Sequence, residues 1–244
     1  PLSSVVFAGL TRKLNWSMSL FHWKSILLAG VFSSLSWYTY TFALSHTSVA
    51  NAVFLLYTAP CYVIVLSPLL LKVKAEKKSV VALILSLAGM TAIMKDSGLS
   101  IGELQVGDLL ALSSGIFYAL TILSLKRLPP EILGITANVY MSFVITITSI
   151  PQFFRYYHYI NTSNIIVLIL LGIVQQGIAT SLYYSGLGKI KAHEASILAY
   201  LEPLSSVVFA FLFLQESLTV FSVLGGVLIL LGGLIVLKKT KREF

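Results

Sequence analysis

Residues 40–60, YTFALSHTSVANAVFLLYTAP, align without a gap with residues 183–203, YYSGLGKIKAHEASILAYLEP. The offset of 143 residues sets Tyr57 opposite Tyr200. Further matched pairs at this offset are Pro60/Pro203, Val65/Val208, Leu71/Leu214, Ser79/Ser222, Leu87/Leu230, Gly89/Gly232 and Lys95/Lys238. Similarity that recurs at a fixed offset is typical of a chain built from repeated structural units. The alignment therefore predicts a duplication in which three membrane spans of one half match three of the other.

The composition is that of an integral membrane protein. Hydrophobic residues make up 57% of the chain, charged residues make up 11%, and the mean hydropathy is +0.90. Eight uncharged stretches approach the length of about 20 residues that a helix needs to cross the hydrocarbon core of a bilayer. They are Ser25–Leu44, Val49–Leu71, Ser79–Met94, Leu109–Leu125, Ile132–Phe154, Asn164–Leu187, Ala195–Gln215 and Ser217–Leu237, and Pro1–Leu10 is a partial ninth.

The basic residues give the spans an orientation. Of the 17 Lys and Arg residues, all but Lys95 and Arg155 lie before the first span or after the second, fourth, sixth and eighth spans, and these segments share one side of the membrane. Lys and Arg are retained on the cytoplasmic side of a membrane, so the pattern predicts a multi-pass protein of the cell membrane with a cytoplasmic C-terminus. The formal net charge of +8 does not indicate nucleic-acid binding, because the basic residues punctuate apolar runs and do not gather on one face.

The offset also predicts the architecture of a longer parent protein. The first span of the second half, which starts near Leu104, maps upstream of residue 1, and this predicts two five-helix units with about 40 further residues before the chain. Residues 1–98 are predicted to be a first repeat that lacks its first helix and part of its second, and residues 99–244 a complete second repeat. Because five is odd, the two units enter the membrane with opposite polarity and form an inverted repeat, which is the architecture of many secondary transporters.

The sequence contains no motif typical of a metal enzyme or of an ATP-driven protein. It contains no HExxH or other metal-ligand spacing, and no GxxxxGK[ST] loop for a nucleotide phosphate. The single cysteine, Cys61, leaves no intramolecular disulfide. We therefore expect a secondary transporter without a cofactor, working by alternating access in a lipid bilayer on a small solute. A multi-pass membrane enzyme or a scaffold is the alternative.

The stretch KAHEASILAYLEPLSSVVFAFLFLQESLTVFSVLGGVLILLGG, Lys191–Gly233, resembles the end of an EamA-type unit of the drug/metabolite transporter superfamily. VGDLLALSSGIFYAL resembles the opening of such a unit. The residues that carry the resemblance are Glu202, Pro203, Glu216, Gly225, Gly226, Gly232 and Gly233. It implies ten helices and the export or exchange of small metabolites such as amino acids. The first half departs from the pattern, with Ala59 opposite Glu202 and Val73 opposite Glu216.

Polar and aromatic residues recur at helical spacing in the matched spans. Ser33, Trp37 and Tyr40 fall at i, i+4 and i+7, and Gln176, Thr180 and Tyr183 occupy the equivalent positions. These faces line a predicted substrate path or, alternatively, pack against neighbouring helices. Other candidates for the path are Tyr57, Tyr200, Ser114, Tyr118 and Asn138, and Pro60 and Pro203 are candidate hinges or helix breaks.

Glu202 is the carboxylate that lies well inside an apolar run. A charge at the centre of a membrane helix costs about 2.5–3.5 kcal/mol on insertion scales, so an interaction must offset that cost. Protonation, a cationic group on the solute or a hydrogen-bonded neighbour would each suffice. Glu202 is therefore a hypothetical site of proton or substrate coupling or, equally, a structural carboxyl group. Aromatic residues with few charges favour an amphipathic or zwitterionic solute over a phosphate.

Overall fold

The computed structural model describes residues 22–95, 98–99, 105–159, 162–215 and 217–238. Within these ranges the chain is helical and contains no strand. The helices are α1 (Trp23–Ala43), α2 (Val49–Leu56), α3 (Ala59–Leu70), α4 (Lys77–Lys95), α5 (Val106–Leu125), α6 (Ile135–Tyr156), α7 (Thr162–Leu170), α8 (Thr180–Leu187), α9 (Ala192–Leu198), α10 (Leu201–Leu214) and α11 (Val220–Leu237). A 3₁₀ turn, Tyr157–Tyr159, follows α6, and a π-helical segment, Leu171–Ala179, joins α7 to α8. The predicted partial span at Pro1–Leu10, and Glu216, lie outside the described residues.

The predicted all-helical membrane protein is confirmed. Seven helical segments of the described chain are long and apolar enough to cross a membrane. They are Trp23–Ala43, Val49–Leu70, Lys77–Lys95, Val106–Leu125, Ile165–Leu187, Ala192–Leu214 and Val220–Leu237. The remaining predicted span, Ile132–Phe154, forms the 22-residue helix α6, in which several Ser, Thr and Asn residues lower the hydropathy.

Corresponding helix ends of the two repeats share an unusual backbone conformation. Lys72 follows α3 with a φ of 57°, and Gln215 follows α10 with a φ of 58°. A left-handed residue after the last turn is a common way to end a helix. The two residues are equivalent at the 143-residue offset, so the repeat seen in the sequence extends to this detail of the backbone.

The described chain falls into two compact units, and each contains residues of both predicted repeats. The first unit takes in the chain up to Leu35 and Leu120–Lys191, and the second takes in Ser36–Ala119 and the chain from Ala192 onwards. Two of the three boundaries between the units fall within α1 and α5, and the third lies directly before α9.

The second unit is built around the packing of α4 on α11. A Cβ on Gly89 would meet the backbone of Gly225, and a Cβ on Gly232 would meet the backbone of Ala82. Small residues allow helix backbones to approach closely in a membrane, where apolar burial alone gives little drive for association. At the 143-residue offset Gly89 is equivalent to Gly232, and Gly225 to Ala82. The two contacts are therefore copies of one another.

In the first unit, α1 and α6 are joined by small and hydroxyl side chains. A Cβ on Gly30 would clash with Val144, and the Ser34 and Thr148 hydroxyl groups hydrogen bond at 2.8 Å. Also in the first unit, the Lys126 ammonium donates a 2.8 Å hydrogen bond to the carbonyl of Leu187, the last residue of α8. A cation at this position complements the partial negative charge of a helix C-terminus.

Candidate functional site

Two spans of the second unit are interrupted at equivalent positions. α2 ends immediately before Tyr57, and α9 ends two residues before Tyr200. Pro60 and Pro203 follow these tyrosines by three residues and have no backbone N–H to donate. Each break therefore removes regular hydrogen bonds from the middle of a predicted span and brings a tyrosine to the interruption.

The two tyrosines contact each other. The Tyr200 hydroxyl donates a 2.7 Å hydrogen bond to the carbonyl oxygen of Tyr57. Their rings stack with centroids 5.9 Å apart and an interplanar angle of 30°. Tyr200 is fully buried, so its hydroxyl needs a partner, and the interrupted backbone supplies one. Residues that are equivalent in the two repeats thus meet directly.

Glu202 lies beside this pair at the start of α10. The Glu202 carboxyl group is close enough to the hydroxyl groups of Tyr57 and Tyr40 for its negative charge to act on both. We call Tyr40, Tyr57, Tyr200 and Glu202 the tyrosine–glutamate cluster. Tyr40 and Tyr57 are half-buried and Glu202 is exposed. Residues of three predicted spans therefore converge in one place.

The chemistry of the tyrosine–glutamate cluster suits a positive charge. The ion pairs found among the described residues join Lys78 to Glu76 and to Glu194, and none involves Glu202. A carboxylate without a cationic partner can accept a proton or bind an ammonium group. The faces of tyrosine rings also attract cations. The cluster therefore has the groups to receive a proton or a cationic group.

A second polar cluster occupies the first unit. The fully buried Asn138 of α6 donates through Nδ2 to the carbonyl of Gln176 at 2.6 Å and to the hydroxyl of Ser181 at 2.9 Å. The Gln176 side-chain amide donates to Asn138 Oδ1 at 3.0 Å and to the Ser142 hydroxyl at 3.1 Å. Gln176 belongs to the π-helical segment, where π-type hydrogen bonding alters the usual pairing of backbone groups. These hydrogen bonds join α6 to the π-helical segment and to α8.

The other candidates for the substrate path lie outside these two clusters and differ in burial and in hydrogen bonding. Ser114 is fully buried and donates to the carbonyl of Ala111 in its own helix, while its own carbonyl accepts a bond from Ser36. Thr180 donates to the carbonyl of Gln175, in the π-helical segment. Trp37 is 66% exposed. Half-buried positions are occupied by Ser33, Tyr118 and Tyr183.

A comparison with known protein families decides the identity of the fold and its general role. The EamA-like transporter family matches this chain over residues 2–95 and 105–238. The chain belongs to the EamA-like transporter family. It is accordingly a multi-pass membrane protein of a family of transporters.

Relatives of this EamA-like transporter occur in archaea and bacteria. An uncharacterized transporter of Archaeoglobus fulgidus is 30% identical over 212 residues, which cover 87% of this chain and 76% of the relative. An uncharacterized transporter of Clostridium kluyveri is 27% identical, with coverage of 89% and 73%. A solved crystal structure shares the fold with a TM-score of 0.75 at 18% identity, over 96% of this chain and 83% of its own.

The EamA-like transporter also contains a buried acid that the sequence analysis did not single out. Asp108 on the first turn of α5 is 5% exposed, and it accepts hydrogen bonds from the Thr47 hydroxyl at 2.7 Å and from the backbone N–H of Gln105 at 3.0 Å. The Asn51 side-chain amide lies 3.5 Å from the same carboxylate. Gln105 immediately precedes the helix, so the bond from its N–H to Asp108 is one half of a capping box. The three-residue spacing of Gln105 and Asp108 could have indicated the bond at the start of the helix. It carries no information about the more distant partners, Thr47 and Asn51.

Metal binding finds no support in the EamA-like transporter within the ranges that the structure describes. No group of three or more His, Cys, Asp or Glu side chains in those ranges is placed to hold a metal ion. The buried acid Asp108 has the Thr47 hydroxyl and the Asn51 amide as side-chain neighbours.

Proposed function

We propose that this EamA-like transporter is a secondary carrier that exports or exchanges small amphipathic metabolites, such as amino acids, by alternating access. The proposal rests on the contact between Tyr57 and Tyr200 beside Glu202. Inverted-repeat carriers bind their solutes near the midplane, where interrupted helices of the two repeats meet. The tyrosine–glutamate cluster has this character, because its two central tyrosines occupy equivalent helix breaks.

The predicted repeats give each residue of the cluster a role. In this proposal the predicted repeats, residues 1–98 and 99–244, contribute equivalent interrupted spans, and Pro60 and Pro203 allow these spans to bend. Glu202 binds a proton or the cationic group of the solute, and the tyrosine rings receive its apolar part. Ser33, Trp37, Tyr40, Ser114, Tyr118, Asn138, Gln176, Thr180 and Tyr183 are proposed to line or support the path.

The energy source and the orientation follow from the sequence. Without a nucleotide-binding loop in the chain, we propose that a solute or proton gradient drives transport. Because Lys and Arg are retained on the cytoplasmic side, we propose that the protein lies in the cell membrane with its C-terminus in the cytoplasm.

Uptake into proteoliposomes tests this function. Purified protein is reconstituted and offered a panel of radiolabelled amino acids, amines and organic anions, with protein-free liposomes as the control. We expect saturable uptake of one class of zwitterionic or amine-bearing solute. Uptake equal to that of protein-free liposomes for the whole panel, from protein with a cooperative thermal unfolding transition, would contradict the proposal and favour an enzyme or a scaffold.

A further inference from the structure

The two ends of the α4–α11 helix pair are equivalent in the repeat but differ in chemistry. In the first turn of α4, the Lys78 ammonium donates a 2.9 Å hydrogen bond to the carbonyl of Lys238, directly after α11. At the other end, the Lys95 ammonium lies 4.1 Å from the ring centroid of Phe221, at the start of α11. The two helices are therefore antiparallel, and the loops that precede α4 and α11 lie at opposite ends of the pair.

These two loops share a turn but carry different charges. Each begins with a left-handed residue, Lys72 in one loop and Gln215 in the other. Residues 72–78 read KVKAEKK, whereas the equivalent residues 215–221 read QESLTVF. The first sequence has four lysines and one glutamate, and the second has one glutamate and no basic residue. Because the left-handed turn forms without lysine at the second loop, the conformation alone does not require the basic residues of the first.

Lys72 occupies a conformation that suits glycine better than lysine. Its φ of 57° is uncommon for a residue with a Cβ atom, and glycine adopts such a φ without steric cost. Strained positions of this kind are found where a side chain serves a function. The Lys72 side chain is exposed, and the ion pairs found among the described residues involve Lys78 instead. The backbone thus holds a charged side chain out from the turn.

Positive charge accumulates at this end of the helix pair. Four of its lysines are exposed, and we call them the lysine cluster: Lys72, Lys74, Lys77 and Lys238. The acids nearby are Glu76 and Glu194, and both pair with Lys78, at 3.4 and 3.9 Å. The charges of the lysine cluster are therefore left to attract an anion from outside the described protein.

Exposed apolar side chains lead directly to the lysine cluster. On α4, Lys77, Val81 and Ile84 fall at i, i+4 and i+7 and are all exposed, so a lysine stands at the end of an apolar strip. On α11, the exposed Leu234 precedes Lys238 by four residues. A surface that is basic at its end and apolar along its length matches a phospholipid, which has a phosphate and acyl chains. A soluble phosphate or a nucleic acid would leave the apolar strips unused.

We propose that the lysine cluster is a binding site for an anionic phospholipid. The ammonium groups bind the headgroup phosphate as point charges, and the acyl chains lie along the apolar strips of α4 and α11. Basic residues clustered next to membrane helices attract anionic lipids in this way. In the orientation proposed above, the lipid belongs to the cytoplasmic leaflet. This site is separate from solute transport and does not depend on the proposed function.

Native mass spectrometry of the purified protein in detergent micelles tests the site. The protein is titrated with dioleoylphosphatidylglycerol, which is anionic, and with dioleoylphosphatidylcholine, which has the same acyl chains and no net charge. We expect tighter binding of the anionic lipid. The double variant Lys72→Gln and Lys74→Gln should lose that affinity by about fivefold for each lysine removed, and should bind the zwitterionic lipid as the wild type does.

Two further variants separate a defined site from general attraction and from a defect in the fold. The double variant Lys189→Gln and Lys191→Gln removes the same charge from exposed lysines of the first unit, and it should retain the wild-type affinity for the anionic lipid. Lys72→Gly relieves the left-handed backbone, so its thermal unfolding midpoint should equal or exceed that of the wild type. Its affinity for phosphatidylglycerol should nevertheless fall by about fivefold.

Several results would overturn the inference. Equal binding of the two lipids by the wild type would show that the lysines serve only to orient the chain in the membrane. An equal loss in the Lys189→Gln and Lys191→Gln control would show attraction to any lysine and no defined site. Wild-type affinity in Lys72→Gly and in the Lys72→Gln and Lys74→Gln protein would place the lipid elsewhere. Displacement of the lipid by equimolar glycerol 3-phosphate would indicate a site for a soluble anion.

Discussion

Gly89 on α4 and Gly225 on α11 approach so closely that a Cβ placed on either would lie 2.5 Å from the carbonyl oxygen of the other. Real Cβ atoms do not come this close to backbone oxygen atoms, so the contact requires glycine on both sides. The equivalent contact of Gly232 with Ala82 is almost as tight, with a Cβ on Gly232 placed 2.8 Å from the Ala82 carbonyl oxygen.

Gly89→Ala should therefore destabilise the protein. We expect a loss of about 1–3 kcal/mol, the usual cost of forcing an extra carbon into a packed contact. Gly186→Ala is the matched control, because its Cβ would meet no atom within 4 Å. The measurement is the thermal unfolding midpoint in detergent. Equal midpoints for the two variants would show that α4 and α11 do not pack through these glycines.

Asp108→Ala should destabilise the second unit because it removes a buried, hydrogen-bonded carboxylate. The Thr47 hydroxyl and the N–H of Gln105 lose their acceptor, and we expect a loss of about 1.5–3 kcal/mol, the range for hydrogen bonds to charged groups. Thr47→Val removes one of these bonds and should cost less. Glu131→Ala, on an exposed loop, is the control and should unfold as the wild type does. The same assay would contradict the account if Asp108→Ala also matched the wild type.

Asn138→Leu should loosen the π-helical segment. It leaves the carbonyl of Gln176 without its side-chain donor, and an unsatisfied buried polar group costs about 1–3 kcal/mol. Hydrogen exchange followed by mass spectrometry should show faster exchange of the amides in Leu171–Ala179. Thr146→Val serves as a control, because the Thr146 hydroxyl donates to Ser142 within the same helix. Unchanged exchange in Asn138→Leu would mean that Asn138 does not hold this segment.

Glu202→Gln should remove the dependence of transport on pH. The amide keeps the size of the side chain but can neither bind a proton nor attract an ammonium group as a carboxylate does. Initial uptake rates across a pH series test this, with Glu131→Gln as the control that retains the wild-type profile. A Glu202→Gln protein with the wild-type rate and pH profile would exclude Glu202 from coupling.

The broad architecture could be predicted from the sequence because it depends on long, redundant signals. Each span is predicted to be a membrane helix from about 20 apolar residues, so no single residue decides that prediction. The paired tyrosines and prolines were visible for a related reason, since the 143-residue offset aligns them. The offset cannot show that Tyr57 and Tyr200 touch, because contact depends on how the interrupted spans pack.

Features that rest on a single position or on backbone geometry were missed. Gln176 fits an ordinary helical stripe, and nothing in its neighbours distinguishes a π-helical segment from an α-helix. Asp108 reads as a charge at the start of a helix, whereas its burial depends on Thr47, from a loop about sixty residues earlier. Such contacts arise from tertiary packing, and they carry no local pattern that a single sequence reveals.

Counterflow is the most direct test of alternating access in this EamA-like transporter. Proteoliposomes are loaded with an excess of the unlabelled solute and diluted into a trace of the labelled solute, with ionophores present and no nucleotide. We predict a transient accumulation of label above its equilibrium level, because the excess unlabelled solute inside competes with the label for outward transport through the same alternating site. A monotonic approach to equilibrium without this overshoot, in vesicles that do take up the solute, would contradict the account.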